Sequence, residues 1–103
     1  MYVTRFYTAE GVLTNRHLAH IARVAGGFTL TKGDGGWVND AGDLIREPAE
    51  ILEVTHNGGP EGQVVTDIVM AAALAAGEDA VLRLTVEAAS MDYMWTQKGT
   101  PNG

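Results

Sequence analysis

From Ile68 to Ala76 the chain runs through nine apolar residues without a polar interruption. That is far short of the roughly 18–20 residues that a membrane-spanning helix needs. The run therefore belongs to a helix inside a folded domain. Pro60 suits its first turn, Glu61 suits the positive end of its dipole, and Gly77 closes it. Val65, Ile68, Val69, Ala72 and Ala76 make one stripe for a sheet below. Val64, Met70, Ala71, Ala73, Leu74 and Ala75 are left for the other side. A helix that is apolar all round has to be covered all round. A chain of 103 residues has room for one domain with a thin core, so the second cover must come from its own tail or from another chain. The tail, residues 89–98, carries Met91, Tyr93, Met94 and Trp95, which are anchor types at interfaces. Met70, Ala71 and Leu74 with Met91, Tyr93, Met94 and Trp95 are thus the expected interface of a homo-oligomer. A dimer is favoured because two-fold assemblies are the commonest. Packing of the tail on its own domain is the alternative. Residues 99–103 read as disordered.

The rest of the chain supplies the sheet. Tyr2 to Tyr7 is aromatic and β-branched, and Glu10-Gly11 follows as a turn. Thr14 caps a helix whose Leu18, Ile21, Ala22 and Ala25 share a face, and Gly26-Gly27 ends it. Phe28 to Lys32 is a strand, interrupted by Gly33-Asp34-Gly35-Gly36 and resumed at Trp37-Val38. The pattern reads as one bent strand with a glycine bulge, or as two short strands. Asn39 to Asp43 is a hairpin turn, and Leu44 to Thr55 returns from it. A turn centred on Ala41 sets Trp37 against Ile45. Pro48 puts its part of the return strand at an edge or a bulge. Asp79 to Ala88 alternates, with Leu82, Leu84 and Val86 on one side and Arg83, Thr85 and Glu87 on the other. The order β-α-β-β-α-β predicts an α+β, ferredoxin-like domain over residues 1–88: a four-stranded antiparallel sheet, two helices on one face, and the other face open.

Thirteen acidic and seven basic residues leave a net charge of −6. That is the wrong sign for a direct nucleic-acid binder. It suits a soluble protein or one that meets a basic partner surface. The absence of cysteine excludes disulfides, thiolate nucleophiles and cysteine-based zinc sites, and fits a cytoplasmic setting. Met1 to Arg5 shows no signal-peptide pattern. Ser90 is the only serine, and neither Gly-x-Ser-x-Gly nor His-Glu-x-x-His occurs. No catalytic residue and no cofactor are expected. His17 and His20 can share a helix face, but no third ligand accompanies them, so no metal site is expected.

Ligand candidates remain in two places. His56-Asn57-Gly58-Gly59 precedes the second helix, where free backbone N–H groups favour an anion. There the glycines would let a phosphate approach the backbone, and Gly58→Val would weaken binding without unfolding the domain. Glu61 counts against the idea. The open face of the sheet is expected to carry Arg5, Glu53, Arg83 and Glu87, either as a solvated charge network or as a basic spot at Arg5 and Arg83. The candidate ligand-binding residues are therefore His56, Asn57, Gly58, Gly59, Arg5 and Arg83, for a small anionic ligand or nucleotide.

The stretch Gly26-Gly27-Phe28-Thr29, then Gly35-Gly36-Trp37, then Gly42-Asp43-Leu44-Ile45-Arg46-Glu47-Pro48 resembles a strand-hairpin segment of small uncharacterised bacterial and phage proteins. Small size, acidity and lack of cysteine are similar in type to phage counter-defence proteins. That resemblance implies a non-catalytic binding protein, an oligomeric inhibitor or adaptor that engages a host protein. A small-ligand or nucleotide-sequestering oligomer is the second reading. A small dimeric ferredoxin-like enzyme that depends on a histidine is the third.

Overall fold

Alternation along the first strand sets the plan of the molecule. In the computed structural model, which describes residues 1–90 with Asp92, Met94 and Thr96, β1 (Tyr2–Ala9) buries Thr4, Phe6 and Thr8 on one side. It is followed by α1 (Asn15–Ala25), β2 (Thr29–Val38), β3 (Leu44–His56), α2 (Gly59–Ala75) and β4 (Leu82–Glu87). The sheet order is β2-β3-β1-β4, and every pairing is antiparallel. This is the expected α+β ferredoxin-like arrangement. Phe6, Leu52 and Val54 meet Leu18 and Ile21 of α1 and Val65, Val69, Ala72 and Ala73 of α2 in one core. The expectations placed on Met91, Tyr93, Trp95 and residues 99–103 lie outside the described residues.

Both helix starts use devices written into the sequence. At α1 the backbone N–H of Thr14 donates to His17 Nδ1 at 3.0 Å. A histidine here takes the reciprocal role that Glu or Gln plays in a capping box. His17 is therefore a cap, which gives the first of the paired histidines a structural task. Gly26, at φ 84°, closes the helix and its N–H reaches Ala22 O. α2 buries Ala73 rather than Ala76. Its other side stays open: Met70 is 45% and Leu74 is 78% exposed, beside Ala71, Glu78 and Asp79 in a shallow hollow. Met94 is 93% exposed. The surplus apolar surface of α2 is thus real, and no described residue of the tail covers it.

The expected glycine bulge is absent. β2 pairs with β3 one to one from Thr29↔Glu53 through Gly33↔Ala49 and Gly35↔Glu47 to Val38↔Leu44, with Trp37 against Ile45 as the turn required. Glycine weakens a strand by entropy but keeps both of its ladder groups, so pairing can pass straight through. β1 covers β3 only from Ala49 onward. Beyond that point the two strands run on alone as an arm that ends at Asn39–Asp43. Asn39 Oδ1 accepts from Ala41 N at 3.0 Å and Asp43 N at 2.9 Å there, and Arg46 pairs with Asp34 across the strands. Pro48 O accepts from Glu10 N at 3.2 Å. Its missing N–H therefore faces the end of β1 rather than β2, which is the edge placement that proline demands.

β4 corrects the charge map. Arg83 pairs with Phe6 and Thr85 with Thr4, whereas Leu84 pairs with Arg5 and Val86 with Val3. Paired residues share a face, so Arg83 and Glu87 lie on the helix side. The open face carries Leu82, Leu84 and Val86 instead, at 67%, 44% and 50% exposure.

Candidate functional site

The last residue of β3 organises the end of the molecule nearest the start of α2. His56 follows the buried alternation of Leu52 and Val54 and is itself 7% exposed. Tyr2 is its cross-strand partner, and the two rings stack with centroids 5.8 Å apart. The Gly58 N–H donates to His56 Nδ1 at 2.9 Å. A backbone amide can only donate, so Nδ1 is the accepting nitrogen and Nε2 carries the proton. Nε2 donates to Thr4 Oγ1 at 2.8 Å. Thr4 Oγ1 in turn lies 2.9 Å from Thr85 Oγ1. Donation from Thr4 to Thr85 leaves neither the His56 Nε2–H nor the Thr4 hydroxyl without a partner. A directed chain of hydrogen bonds then runs from the Gly58 backbone to an exposed hydroxyl on β4.

That hydroxyl opens into a cleft of about 310 Å³ between β4 and the first turns of α2, lined by Tyr2, His56, Gly58, Gly59, Gly62, Gln63, Thr66, Arg83 and Thr85 among others. Gln63 and Thr66 are three apart on one helix face. Arg83 Nη1 donates to Thr66 Oγ1 at 3.2 Å. The cleft therefore brings together His56, Gly58, Gly59 and Arg83 of the sequence candidates. It adds Gln63, Thr66 and Thr85, which sequence reasoning missed. The signal available for them was helical spacing for the first two, and the alternation that puts Thr85 beside Arg83.

Two glycines make room for rings, not for a phosphate. A Cβ on Gly58 would stand 2.6 Å from Tyr2 Cε2, and φ there is +83°. A Cβ on Gly62 would stand 2.7 Å from His56 Cε1. Gly58→Val is accordingly expected to destabilise the domain as well as to alter the site. Gly59 has open space around it. Gly62→Ala is expected to destabilise by about 1 kcal/mol in urea unfolding, since the overpacking against His56 outweighs the gain in helix propensity. A gain in stability would show that the ring gives way freely.

A second hollow, about 490 Å³, lies on the other side of His56, lined by Gly26, Gly27, Phe28, Glu53, His56, Asn57 and Glu61 among others. Asn57 belongs to this hollow and not to the cleft, so the loop's four candidates are divided between the two.

Arg5 stands apart on the open face. Its Nε donates to Glu53 Oε2 at 2.8 Å. That hydrogen bond, then the attraction of the same carboxylate, raises the Arg5 pKa above its ordinary value. Arg5 and Arg83 do not converge, because opposite parity puts them on opposite faces. Arg5 and Glu53 instead sit among Val3, Leu84 and Val86. An exposed pair of this kind contributes little, and Arg5→Ala is expected to leave the melting temperature unchanged within error. Among the described residues no three His, Asp or Glu side chains group closely enough to hold a metal ion, and no helix is long and apolar enough to cross a membrane.

No protein-family profile matches the chain, and no curated protein matches it. Solved structures do. A phage SAM lyase in complex with S-methyl-5'-thioadenosine is similar at 14% identity and a TM-score of 0.56, over 84% of this chain and 80% of that one. The periplasmic divalent cation tolerance protein CutA from Archaeoglobus fulgidus is similar at 13% identity and a TM-score of 0.57, over 88% and 87%. CutA from Synechococcus elongatus is similar at 10% identity and 0.55, over 82% and 73%. At these identities the likeness establishes the fold that this chain shares with them.

Proposed function

We propose that this chain is a homo-oligomeric binding protein for a small nucleoside-type ligand, adenosine derivatives first. The observation that carries the reading is the cleft beside α2. There β1, β3, β4 and α2 each bring a polar group to one space: Tyr2 and Thr4, His56, Arg83 and Thr85, and Gln63 and Thr66. A few convergent polar groups in a preformed cleft are the ordinary anatomy of a small-ligand site. His56, Gly58, Gly59 and Arg83 are its proposed binding residues. The phage lyase with this fold was held with a thioadenosine, which supports testing that class first. Titration calorimetry with S-methyl-5'-thioadenosine, S-adenosylmethionine and adenosine is expected to show saturable binding. Ligand at about a hundred times its Kd should raise stability by about 2.7 kcal/mol. Silence from all three compounds would sink the reading.

Assembly is proposed through the surplus apolar surface, of which Leu82, Leu84 and Val86 on the open face are a large part. Leu84→Glu is expected to lower the solution mass to that of one chain. An unchanged oligomer would move the interface to the side of α2 that carries Met70 and Leu74.

The arm favours a second reading, an inhibitor or adaptor that engages a host protein with a basic surface. A two-stranded hairpin is marginal by itself, yet this one exposes Trp37 at 49%, Val38 at 64% and Leu44 at 65% on a chain of net charge −6. Such a complex is expected to weaken as salt is raised. Binding that ignores salt would remove the electrostatic part.

A further inference from the structure

The cleft and the hollow share His56 as a wall, and they differ in charge. Among the described residues Arg83 is the only charged one lining the cleft. Among the described residues it has no carboxylate partner and is held by the Thr66 hydroxyl alone. Among the described residues the hollow is lined by two carboxylates and no Lys or Arg side chain, with Met1, which bears an α-amino group, also on its wall. Arg5 pairs with Glu53, which leaves Glu61 as the lining carboxylate that makes no ion pair among the described residues. The Phe28 ring, 40% exposed, lines the same hollow.

A guanidinium with free donors suits a carboxylate or phosphate. A carboxylate beside an aromatic ring suits an organic cation. Glu61 also serves the dipole of α2 from its first turn. The dipole accounts for a charge at that helix end. It does not account for an exposed phenyl ring in the same hollow or for an unneutralised arginine on the far side of His56. His56 is hydrogen-bonded through both ring nitrogens, so the wall between the two charges is held in place.

We propose that cleft and hollow together form one site for a zwitterion, with its carboxylate at Arg83 and a sulfonium or substituted ammonium group at Glu61 and Phe28. The proposal rests on the ligand-binding reading above and adds the charge pattern of the ligand. It also assigns Glu61 a binding role, where the sequence alone made that residue an argument against a site.

The test is titration calorimetry on the full chain with four probes: S-adenosylmethionine, S-adenosylhomocysteine, S-methyl-5'-thioadenosine and S-methylmethionine. The first two differ by a methyl group and the positive charge on sulfur. S-adenosylmethionine is expected to bind about tenfold more tightly than S-adenosylhomocysteine. Glu61→Gln should close that gap and leave S-adenosylhomocysteine nearly unaffected. Arg83→Gln should weaken both by about tenfold and spare the thioadenosine, which has no carboxylate. Melting curves without ligand check that both variants fold. Equal binding of the first two probes, or a gap that survives Glu61→Gln, overturns the zwitterion even if the thioadenosine binds and the nucleoside reading stands. Binding of S-methylmethionine that both substitutions weaken, with no adenosine compound bound, upholds the zwitterion and removes the nucleoside. No binding by any probe removes both.

Discussion

Gly58→Ala is expected to destabilise the domain by about 3 kcal/mol. Two costs add. An alanine at φ +83° takes on left-handed backbone strain of about 1–2 kcal/mol. Its Cβ would also press to 2.6 Å from the Tyr2 ring, and overpacking of that kind costs about 1–3 kcal/mol. A domain of this size holds only about 5–15 kcal/mol in all, so the melting temperature should fall by roughly 15 °C. The two costs can be separated. With Tyr2→Ala as the background, the steric part disappears, and Gly58→Ala should cost only the backbone strain, about 1–2 kcal/mol. A single variant that loses only the backbone cost of about 1–2 kcal/mol would mean that Tyr2 does not lie against Gly58, and a wild-type urea midpoint would overturn the left-handed backbone there as well.

His56→Ala is the second large effect, again about 3 kcal/mol. The substitution removes the acceptor of the half-buried Gly58 N–H and one of the two partners of the buried Thr4 hydroxyl, which keeps Thr85. A donor left without its hydrogen bond costs about 1–3 kcal/mol, and the missing ring leaves a cavity beside the core. The stacking on Tyr2 goes as well. His56→Gln keeps one donor and one acceptor, so it should recover part of the loss. Amide exchange at Gly58 should quicken markedly in His56→Ala and less in His56→Gln. Equal exchange in both variants would show that Nδ1 is not the acceptor of that N–H.

These two residues also show how far the sequence could be read. The loop His56 to Gly59 stood out because glycines before a helix suggest a place for a ligand. The structure gives two nearby glycines a different physical reason. Gly58 and Gly62 give way to Tyr2 and His56, residues from distant strands whose rings no local pattern places there. His17 shows the same limit in reverse. Three residues from Thr14, it was expected only to share a helix face with His20, and the structure uses it to cap α1. The glycines of β2 suggested a bulge, since glycine weakens a strand, yet pairing with β3 passes through them. Local weakness does not decide register when the ladder on both sides is intact.

Element order, strand alternation, helix ends and the apolar surplus of α2 were settled by the amino-acid order itself, because each depends on periods of two or 3.6 residues and on local backbone chemistry. The faces on which those alternations would lie were decided only by the tertiary structure. Arg83, Thr85 and Glu87 share a side in any reading of β4. Only the pairing of Arg83 with Phe6 and of Leu84 with Arg5 turns that side toward the helices, into the cleft with His56, and leaves leucine and valine on the open face. A period of two tells which residues travel together, but a shift of one residue in register would exchange the two faces. That choice rests on contacts between residues far apart in the chain.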